Sequence, residues 1–373
     1  MKRTIVNLIS EQTTPNFLFV KEMIQIGDEL LFISSEKFEE RIDWIINALD
    51  YTNCTINRII LPDGTEEKWT QMIELIRQHL SKNRKYIVNL TCGTKYMISA
   101  VPKAFDDFDT EFYYIPFPKN IILTIGDNTC KQINCRMTVK EYFDCNNTSI
   151  PKQKGLTKSE EYTHSFFVKF TKGQVNYDVI EKIRVGYREK RITIADIETK
   201  KDEEKKPQIS ELSGFLSEID FNPQEAGFLS KDETIYLTGG WFEEYTFCLL
   251  KRHFPEHDFA LGVGLPISSM KGVNNRDLDV VFTCENKLFI IECKTGIDKE
   301  SILSETVYKA AALKNERLGK LSANTFIFSL AGENEVFKEI AKAMNIAYYD
   351  RSFFSDEGKI SIIVSNINKK AKG

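Results

Sequence analysis

The sequence of 373 residues has no long hydrophobic run, little net charge and no regularly spaced cysteines. Its apolar runs fall short of the ~18 residues that a membrane-spanning helix requires, so we expect no transmembrane segment and no membrane partner. The amino terminus is basic and then apolar, but the apolar part is too short for a signal peptide and Glu11 interrupts it. We therefore expect a cytoplasmic protein.

The metal-binding and disulfide patterns that cysteine and histidine often form are also missing. None of the eight cysteines belongs to a CxxC pair, and the four histidines show no HExxH spacing. This indicates reduced thiols and excludes a disulfide framework or a zinc site of adjacent ligands. The formal charge of -4 excludes a generally basic nucleic-acid coat protein. A local basic channel is not excluded, because the total says nothing about the distribution of charge.

What the sequence does contain is enough apolar surface for a packed core, since 42% of its residues are hydrophobic. The length suggests two or three domains. From residue 3 to about 126, strand and helix patterns alternate, which predicts a parallel, doubly wound α/β sheet. The predicted strands are Thr4–Ile9, Leu30–Ser34, Ile56–Leu61, Tyr86–Leu90, Phe112–Ile115 and Ile121–Ile125. The predicted helices are Asn16–Ile26, Glu36–Leu49, Glu66–Leu80 and Lys95–Phe105.

Two loops of this first half, Ser10–Asn16 and Thr91–Lys95, follow predicted strands and are rich in hydroxyl and amide groups. Ligands of doubly wound sheets bind at the carboxyl ends of the strands, where helix N-termini and a lysine form an anion site. For one such loop alone, plain helix capping is the better explanation. Two at one sheet edge favour a phosphate ligand. No GxxxxGK[ST] or complete GxGxxG is present, which excludes a P-loop NTPase and an ordinary dinucleotide site.

The segment 89–95, with the sequence NLTCGTK after a strand and before a helix, resembles the ligand loop of CARF domains. CARF domains are the Rossmann-like sensors of CRISPR-associated effectors, and the resemblance spans roughly residues 1–145. Many members have a second glycine where Cys92 stands. The resemblance implies that a cyclic oligoadenylate binds on the two-fold axis of a homodimer, with Lys95 on a phosphate. The ligand-binding residues that it implies are Ser10, Gln12, Thr13, Asn16, Thr91, Gly93, Thr94 and Lys95.

Residues 146–226 differ in character from the first half. They begin with the turn-rich segment Asn146–Pro151, include a basic stretch at Arg184–Ile197 and contain a mixed-charge run at 198–207. The predicted helices of this region are Tyr177–Ile183 and Glu211–Ile219. These features predict a small connector, helical or winged-helix-like. Its basic stretch could bind nucleic acid, although a solvated helix face is the commoner explanation.

The most informative segment is Arg276–Lys294, where two β-branched and aromatic runs flank the turn Glu285-Asn286. This pattern predicts a β-hairpin. If the turn is centred on those two residues, Cys284 faces Lys287 across the ladder. Because the turn lacks Asn-Gly, a bulge that shifts the register is an alternative.

Two carboxylates meet on one face of this hairpin, because the predicted register sets Asp279 opposite Glu292. Directly opposed carboxylates destabilise a sheet, so the arrangement favours a divalent cation such as Mg²⁺ or Mn²⁺ between them. Lys294 shares the face of Glu292, while Cys293 points to the other. It would position or deprotonate a metal-bound water, or stabilise the leaving charge. The alternative is a hairpin whose wet face carries ordinary charges, and the flanking apolar strands argue against it.

Asp279 followed by Glu292-Cys293-Lys294 resembles the PD-(D/E)XK motif of restriction-endonuclease-like nucleases, without the proline that names it. The resemblance covers roughly residues 227–365. It implies that Asp279, Glu292 and Lys294 are catalytic residues. It also implies that Asp279, Glu292 and Cys293 form the metal site.

A helix that bears a glutamate precedes the hairpin in many such nucleases, and here Glu243 matches it, with Glu244 as the second choice. A surface glutamate is the alternative for both. Lys309 and Arg317 lie where family nucleases often contact a phosphate, although a solvated helix face explains them equally well. The roles of Glu244, Lys309 and Arg317 therefore stay open.

The order of these parts is similar to that of the ancillary nucleases of type III CRISPR systems. It implies an α/β chain with a Rossmann-like CARF sensor domain at 1–145, a small connector at 146–226 and a restriction-endonuclease-like domain at 227–373. In that family, cyclic tetra-adenylate is the allosteric activator of a prokaryotic homodimer that cuts single-stranded DNA and RNA with Mn²⁺ or Mg²⁺. The alternatives are an unregulated restriction or repair endonuclease and a ligand-sensing transcription regulator. The complete set of Asp279, Glu292 and Lys294 argues against the regulator.

Overall fold

The structure is a computed structural model, and its described residues are 2–49, 54–127, 129–150, 153–187, 192–193, 212–225, 227–265, 276–295 and 323–372. The strands are β1 Lys2–Leu8, β2 Glu29–Ser35, β3 Thr55–Leu61, β4 Arg84–Asn89, β5 Asp109–Tyr114, β6 Ile121–Thr124, β7 Cys130–Gln132, β8 Ile192–Thr193, β9 Phe228–Leu229, β10 Phe259–Leu265, β11 Arg276–Cys284, β12 Lys287–Lys294, β13 Asn324–Ser329 and β14 Ala347–Tyr349. The α-helices are α1 Thr14–Met23, α2 Glu40–Leu49, α3 Trp69–Arg77, α4 Lys95–Ala104, α5 Val139–Asp144, α6 Glu160–Thr171, α7 Tyr177–Tyr187, α8 Leu212–Glu218, α9 Lys231–Ile235, α10 Trp241–His253, α11 Glu335–Ala343 and α12 Glu357–Lys372. Within these ranges, no helix combines the length and the apolar character needed to span a membrane.

The first sheet has the strand order β3-β2-β1-β4-β5-β6-β7. Its first five strands are parallel, as the alternation of strand and helix patterns predicts. The last two are antiparallel, because the short link 115–120 between β5 and β6 leaves no room for a crossover helix. Helices α1 and α2 pack on one face and α3 and α4 on the other. The strand order reverses between β1 and β4, at the centre of the sheet.

The second sheet has the order β10-β11-β12-β13-β14. Strands β11 and β12 form the predicted hairpin, in which Cys284 pairs with Lys287 and Val280 with Ile291. The predicted register is therefore confirmed over these pairs. The turn residues Glu285 and Asn286 both have positive φ, 49° and 59°, so a two-residue turn forms without Asn-Gly. Strand β13 adds in parallel to β12 and extends the core.

The helices of the predicted connector pack into the carboxyl-terminal core. Helices α7 and α8 correspond to the two predicted helices, whereas α6 is an addition that the sequence patterns did not indicate. The shared core contains Phe166, Phe170, Ile180, Phe215, Trp241, Phe242, Phe282 and Phe289. The acidic and basic run at 198–207 lies outside the described residues.

A second apolar core joins the two sheets. It contains Ile5 and Phe32 of the first sheet, Phe17 of α1, Tyr142 and Phe143 of α5, and Val281 and Ile290 of the second sheet. Helix α5 contacts both α2 of the first domain and β11 of the second sheet, and so lies between the two sheets. Such burial at ~25 cal/mol per Å² of apolar surface is the main force that holds two domains together.

The tip of the β11–β12 hairpin docks onto the first domain through hydrogen bonds. The Oδ1 atom of Asn286 accepts the backbone N–H of Met137 at 2.8 Å. Its Nδ2 donates to Asn120 Oδ1 at 2.7 Å and to the Cys135 carbonyl at 3.0 Å. Glu285 accepts a further bond from the Asn120 amide at 3.1 Å. The side chain of Asn286 is buried at 3% exposure, so this hairpin tip is a fixed contact between the two domains.

We predict that Asn286→Gly destabilises the protein, although glycine is the residue best suited to a left-handed turn position. The variant keeps the turn but leaves Met137, Asn120 and Cys135 without their partner, at a cost of about 1–3 kcal/mol. The thermal unfolding midpoint should fall accordingly. Asn147→Gly is the control, because Asn147 is exposed and has φ 54°. Equal effects of the two substitutions would contradict the docking role of Asn286.

Candidate functional site

The two polar loops of the first domain lie side by side, because β1 and β4 are neighbours in the sheet. The thiol of Cys92 donates to the Gln12 carbonyl at 3.5 Å and so joins one loop to the other. Burial raises the pKa of this thiol to about 12. At the position where many CARF domains have a second glycine, this chain therefore has a neutral, buried side chain that packs the loops together.

A network of buried asparagines supports the loops from beneath. The Asn89 amide donates to the Oδ1 atoms of Asn7 and Asn16, both at 3.0 Å. Asn16 in turn donates to the Leu8 carbonyl at 2.9 Å, and the Thr91 hydroxyl donates to Asn89 Oδ1 at 2.5 Å. The structure thus places Asn16 below the loop surface, where both ends of its amide bond to protein. Sequence reasoning missed Asn7, whose signal is an amide at the end of an apolar strand.

The other predicted ligand residues differ in exposure. Gln12, Thr94 and Lys95 are exposed, Ser10, Thr91 and Gly93 are half-buried, and Thr13 is buried. Thr94 caps α4, since its hydroxyl accepts the Met97 N–H at 3.2 Å. Gly93 has φ 111°, and a Cβ there would lie 3.3 Å from Leu8 Cβ, so the loop requires glycine. The open surface between the loops is therefore formed chiefly by Gln12, Thr94 and Lys95.

The catalytic set predicted on the hairpin comes together in the second domain. The Lys294 ammonium lies 3.4 Å from Glu292 Oε2 and 3.8 Å from Asp279 Oδ2. Glu292 is only 1% exposed. The backbone N–H of Cys293 donates to Asp279 Oδ2 at 2.7 Å, which orients that carboxylate. One ammonium thus faces two carboxylates at the carboxyl end of β12, the central strand of the second sheet.

Charge and burial act against each other in this cluster. Burial lowers the pKa of the Lys294 ammonium, but the carboxylates of Asp279 and Glu292 raise it by more, so the net pKa lies above its usual value. Burial also raises the pKa of Cys293, and its thiol donates to Thr246 Oγ1 at 3.5 Å within the core. The predicted contribution of Cys293 to a metal site is therefore left to its backbone carbonyl.

The two glutamates at the start of α10 have different surroundings. Glu243 lies near the hairpin cluster, and burial, followed by the charge of Asp279, raises its pKa to about 8. Glu244 instead accepts the backbone N–H groups of Thr157 and Lys158, at 2.8 and 3.4 Å. Glu243 is therefore the glutamate that lies near the predicted catalytic set, and Glu244 anchors a neighbouring segment.

The end of β12 is clamped by the connector, a contact that sequence reasoning missed. Arg184 of α7 donates to Thr295 Oγ1 and to the Thr238 carbonyl, both at 2.9 Å. Tyr177 donates to the Thr295 carbonyl at 3.3 Å. Arg184, the first residue of the basic stretch, thus holds the residue next to Lys294. Lys309 and Arg317 lie outside the described residues.

The oxygen atoms of the hairpin cluster are of the kind that binds a divalent cation. Among the residues that the structure describes, no three His, Cys, Asp or Glu side chains are grouped as a metal site. Two carboxylates, Asp279 and Glu292, nonetheless lie 3.8 and 3.4 Å from the same Lys294 ammonium. Mg²⁺ and Mn²⁺ prefer hard oxygen ligands of this kind, completed by water. Such ions are bound through one or two carboxylates, so two carboxylates and a backbone carbonyl suffice.

Solved structures share this architecture along the whole chain. A Vibrio cholerae protein, VC1899, is 15% identical with a TM-score of 0.76, covering 100% of this chain and 99% of that chain. Can2 from Sulfobacillus thermosulfidooxidans, solved with cyclic tetra-adenylate, is 20% identical with a TM-score of 0.72 and full coverage of both chains. At these identities the likeness is one of fold.

A third structure is a type III CRISPR defence DNA nuclease activated by cyclic oligoadenylate. It is 14% identical with a TM-score of 0.55, over 89% of this chain. The match covers 46% of that longer nuclease. No curated protein matches the sequence.

Two family models match the sequence itself. Residues 4–142 match the Card1 CARF domain, and residues 230–359 match the Card1-like endonuclease domain. Together they account for well over half of the chain, in the order in which the polar loops and the carboxylate cluster occur. The chain therefore belongs to the Card1-like CRISPR-associated nucleases, with a CARF sensor domain followed by an endonuclease domain.

Proposed function

We propose that this protein is an endonuclease of type III CRISPR antiviral defence that needs a divalent metal and is activated by cyclic tetra-adenylate. It acts as a cytoplasmic homodimer and cuts single-stranded DNA and RNA. The observation that carries the proposal is the Lys294 ammonium, 3.4 and 3.8 Å from the carboxylates of Glu292 and Asp279 in the endonuclease domain. The choice of activator follows the ligand of Can2.

In the nuclease domain, Asp279, Glu292 and the Cys293 carbonyl would hold Mg²⁺ or Mn²⁺, as in PD-(D/E)XK nucleases. A bound cation neutralises charge that develops on the phosphate and makes water easier to deprotonate. Both carboxylates fix the position of the Lys294 ammonium. From that position Lys294 orients the attacking water beside the phosphate. Glu243 completes the acidic side of the site.

In the sensor domain, the ligand phosphate is bound at the start of α4. The backbone N–H groups there and the Lys95 ammonium attract an anion, while Gln12 and Thr94 offer hydrogen bonds to ribose or phosphate. Ser10, Thr13, Thr91, Gly93 and Asn16 shape and support this surface. Two protomers share one ring-shaped ligand across a self-complementary interface.

The docked hairpin tip is the route by which the sensor acts on the nuclease. Asn286 is bonded to residues 120–137 of the first domain, and the same hairpin carries Asp279 and Glu292. A change in the sensor therefore displaces the strands that hold the catalytic set. Activation requires that the ligand bind the two arrangements with different affinity.

The proposed function is tested by digestion of single-stranded and duplex DNA and RNA, with Mn²⁺ or Mg²⁺, across a series of cyclic oligoadenylates. We expect cleavage of single strands only when metal and cyclic tetra-adenylate are both present. Cleavage that ignores the activator would indicate an unregulated endonuclease. Sequence-specific duplex binding without turnover would indicate a regulator.

Glu292→Ala and Lys294→Ala should each reduce cleavage by about 1,000-fold, because several kcal/mol of transition-state charge stabilisation are lost. Binding of cyclic tetra-adenylate, measured by calorimetry, should be unchanged and also shows that the variants are folded. Metal-dependent cleavage retained by Glu292→Ala would rule out this site.

Lys95→Ala should have the opposite profile. Loss of a charged hydrogen bond of about 1.5–3 kcal/mol raises the activator concentration for half-maximal cleavage by about 10- to 100-fold. The cleavage rate at saturating activator should stay as in the unchanged protein. Lys103→Ala, an exposed lysine at the other end of α4, is the control, and an identical shift there would contradict the role of Lys95.

Stability of the metal-free protein should depend on pH through Glu243. Its pKa is about 8 in the folded protein against 4.5 ordinarily, so between these values the folded state holds a proton that the unfolded state has lost. Stability therefore falls as pH rises through this window. In EDTA, Glu243→Gln should lose less thermal stability than the unchanged protein between pH 5 and 8. The exposed control Glu339→Gln should not differ, and parallel curves for both variants would contradict this expectation.

A further inference from the structure

The segment that leads from the sensor domain into the nuclease domain runs across the catalytic side of the second sheet. The backbone N–H of Lys154 donates to the Leu261 carbonyl of edge strand β10 at 2.8 Å. Three residues later, the Thr157 N–H donates to the Glu244 carboxylate at 2.8 Å. The segment is thus fastened at two points, one on β10 and one on α10, and Lys154 is at the first of them.

The stem of Lys154 lies directly on Gly262. A Cβ at residue 262 would stand 2.7 Å from Lys154 Cγ and 2.9 Å from Cε, so any larger residue there would displace the lysine stem from this position. Gly262 also has a left-handed φ of 57°. Leu261 pairs with Val280 of the neighbouring strand, and Val263 with Leu278. Gly262, between them, is therefore opposite Asp279. The lysine stem consequently crosses the strand beside the catalytic aspartate.

The Lys154 ammonium is close enough to Glu243 to act on its carboxyl group. The pKa of Glu243 is raised overall, but the positive charges of two lysines oppose that rise. The contribution of Lys154 is larger than that of Lys294. Lys154, Gly262 and Glu243 line one cavity of about 770 Å³. The side chain of Lys154 is exposed, so a ligand that enters this cavity can reach its ammonium group.

A nucleic-acid strand needs such a cation at this position. Glu243, Asp279 and Glu292 place three carboxyl groups beside a polyanion, and Lys294 is already engaged by two of them. A lysine on a flexible stem binds phosphate as a point charge and adapts to the path of the strand. Of the three carboxyl groups, Glu243 lines the cavity. The exposed Lys154 ammonium at its wall supplies the positive charge that a phosphate subsite requires.

We propose that Lys154 binds a backbone phosphate of the nucleic-acid substrate next to the bond that is cut. The inference rests on the proposed nuclease function. It adds a substrate contact from outside the motif and from outside the endonuclease match at residues 230–359. Because Lys154 belongs to the segment that joins sensor and nuclease, this subsite is formed by the docking of that segment on β10 and α10.

The test is the activated cleavage of a single-stranded substrate by Lys154→Ala, Lys154→Arg and the control Lys251→Ala, an exposed lysine on α10. Lys154→Ala should raise KM about tenfold and change kcat much less. Loss of one phosphate contact should also reduce the slope of log KM against log salt by about 0.7. Lys154→Arg should restore most of the affinity, and Lys251→Ala should match the unchanged protein.

Gly262→Ala provides an independent variant, because the added methyl group displaces the lysine stem. It should raise KM more in the unchanged background than in Lys154→Ala, and the difference measures the effect that acts through the lysine. Backbone strain at residue 262 is common to both backgrounds and cancels in this comparison.

An unchanged KM and salt slope in Lys154→Ala, while Glu292→Ala is inactive, would overturn the inference and leave the proposed nuclease function intact. Faster cleavage by Lys154→Ala without activator would also overturn it, since Lys154 would then restrain the site. If the unchanged protein shows no cleavage, the proposed function itself fails.

Discussion

The Lys294 ammonium lies among three carboxyl groups, those of Asp279, Glu292 and Glu243. They meet at the end of the central strand of the second sheet. Carboxylates in such surroundings repel one another and lose hydration, and the raised pKa of Glu243 is the measure of that cost. The cluster persists because rigid elements hold it on every side. The Cys293 N–H orients Asp279, and Arg184 clamps the residue that follows Lys294.

The strands that carry this cluster also reach the sensor domain. From Asn286 to Glu292 the chain runs along one strand, roughly 20 Å at about 3.3 Å per residue. Both strands of the hairpin are paired with neighbours, and its turn is hydrogen-bonded to residues 120–137 of the first domain. The hairpin is therefore one stiff body, with the docked turn at one end and the predicted catalytic set at the other. The apolar core that the two domains share holds the sensor domain against this hairpin.

Local patterns were sufficient for much of the fold and for the register of the hairpin. Strand–helix alternation indicated β1 to β5 and their helices, and the two-residue turn with alternating side chains predicted the register that sets Asp279 near Glu292. Local patterns were insufficient where long-range packing decides. The burial of Asn16 depends on Asn89, and helix α6 packs on Trp241, partners that lie far away in the sequence. The antiparallel direction of β6 is a separate case, because it follows from the short link 115–120, which strand–helix alternation does not describe.

The sequence by itself determined the element types, the hairpin register and the identity of the chemical groups, since these depend on residues within a few positions of one another. Only the tertiary structure decided which side chains from distant parts of the sequence contact the hairpin and its neighbouring strand. Lys154 reaches β10, Arg184 reaches Thr295 and Asn286 reaches Met137 across more than a hundred residues each. Such contacts are set by the path of the whole chain and by the burial that closes it, and no local propensity encodes that path.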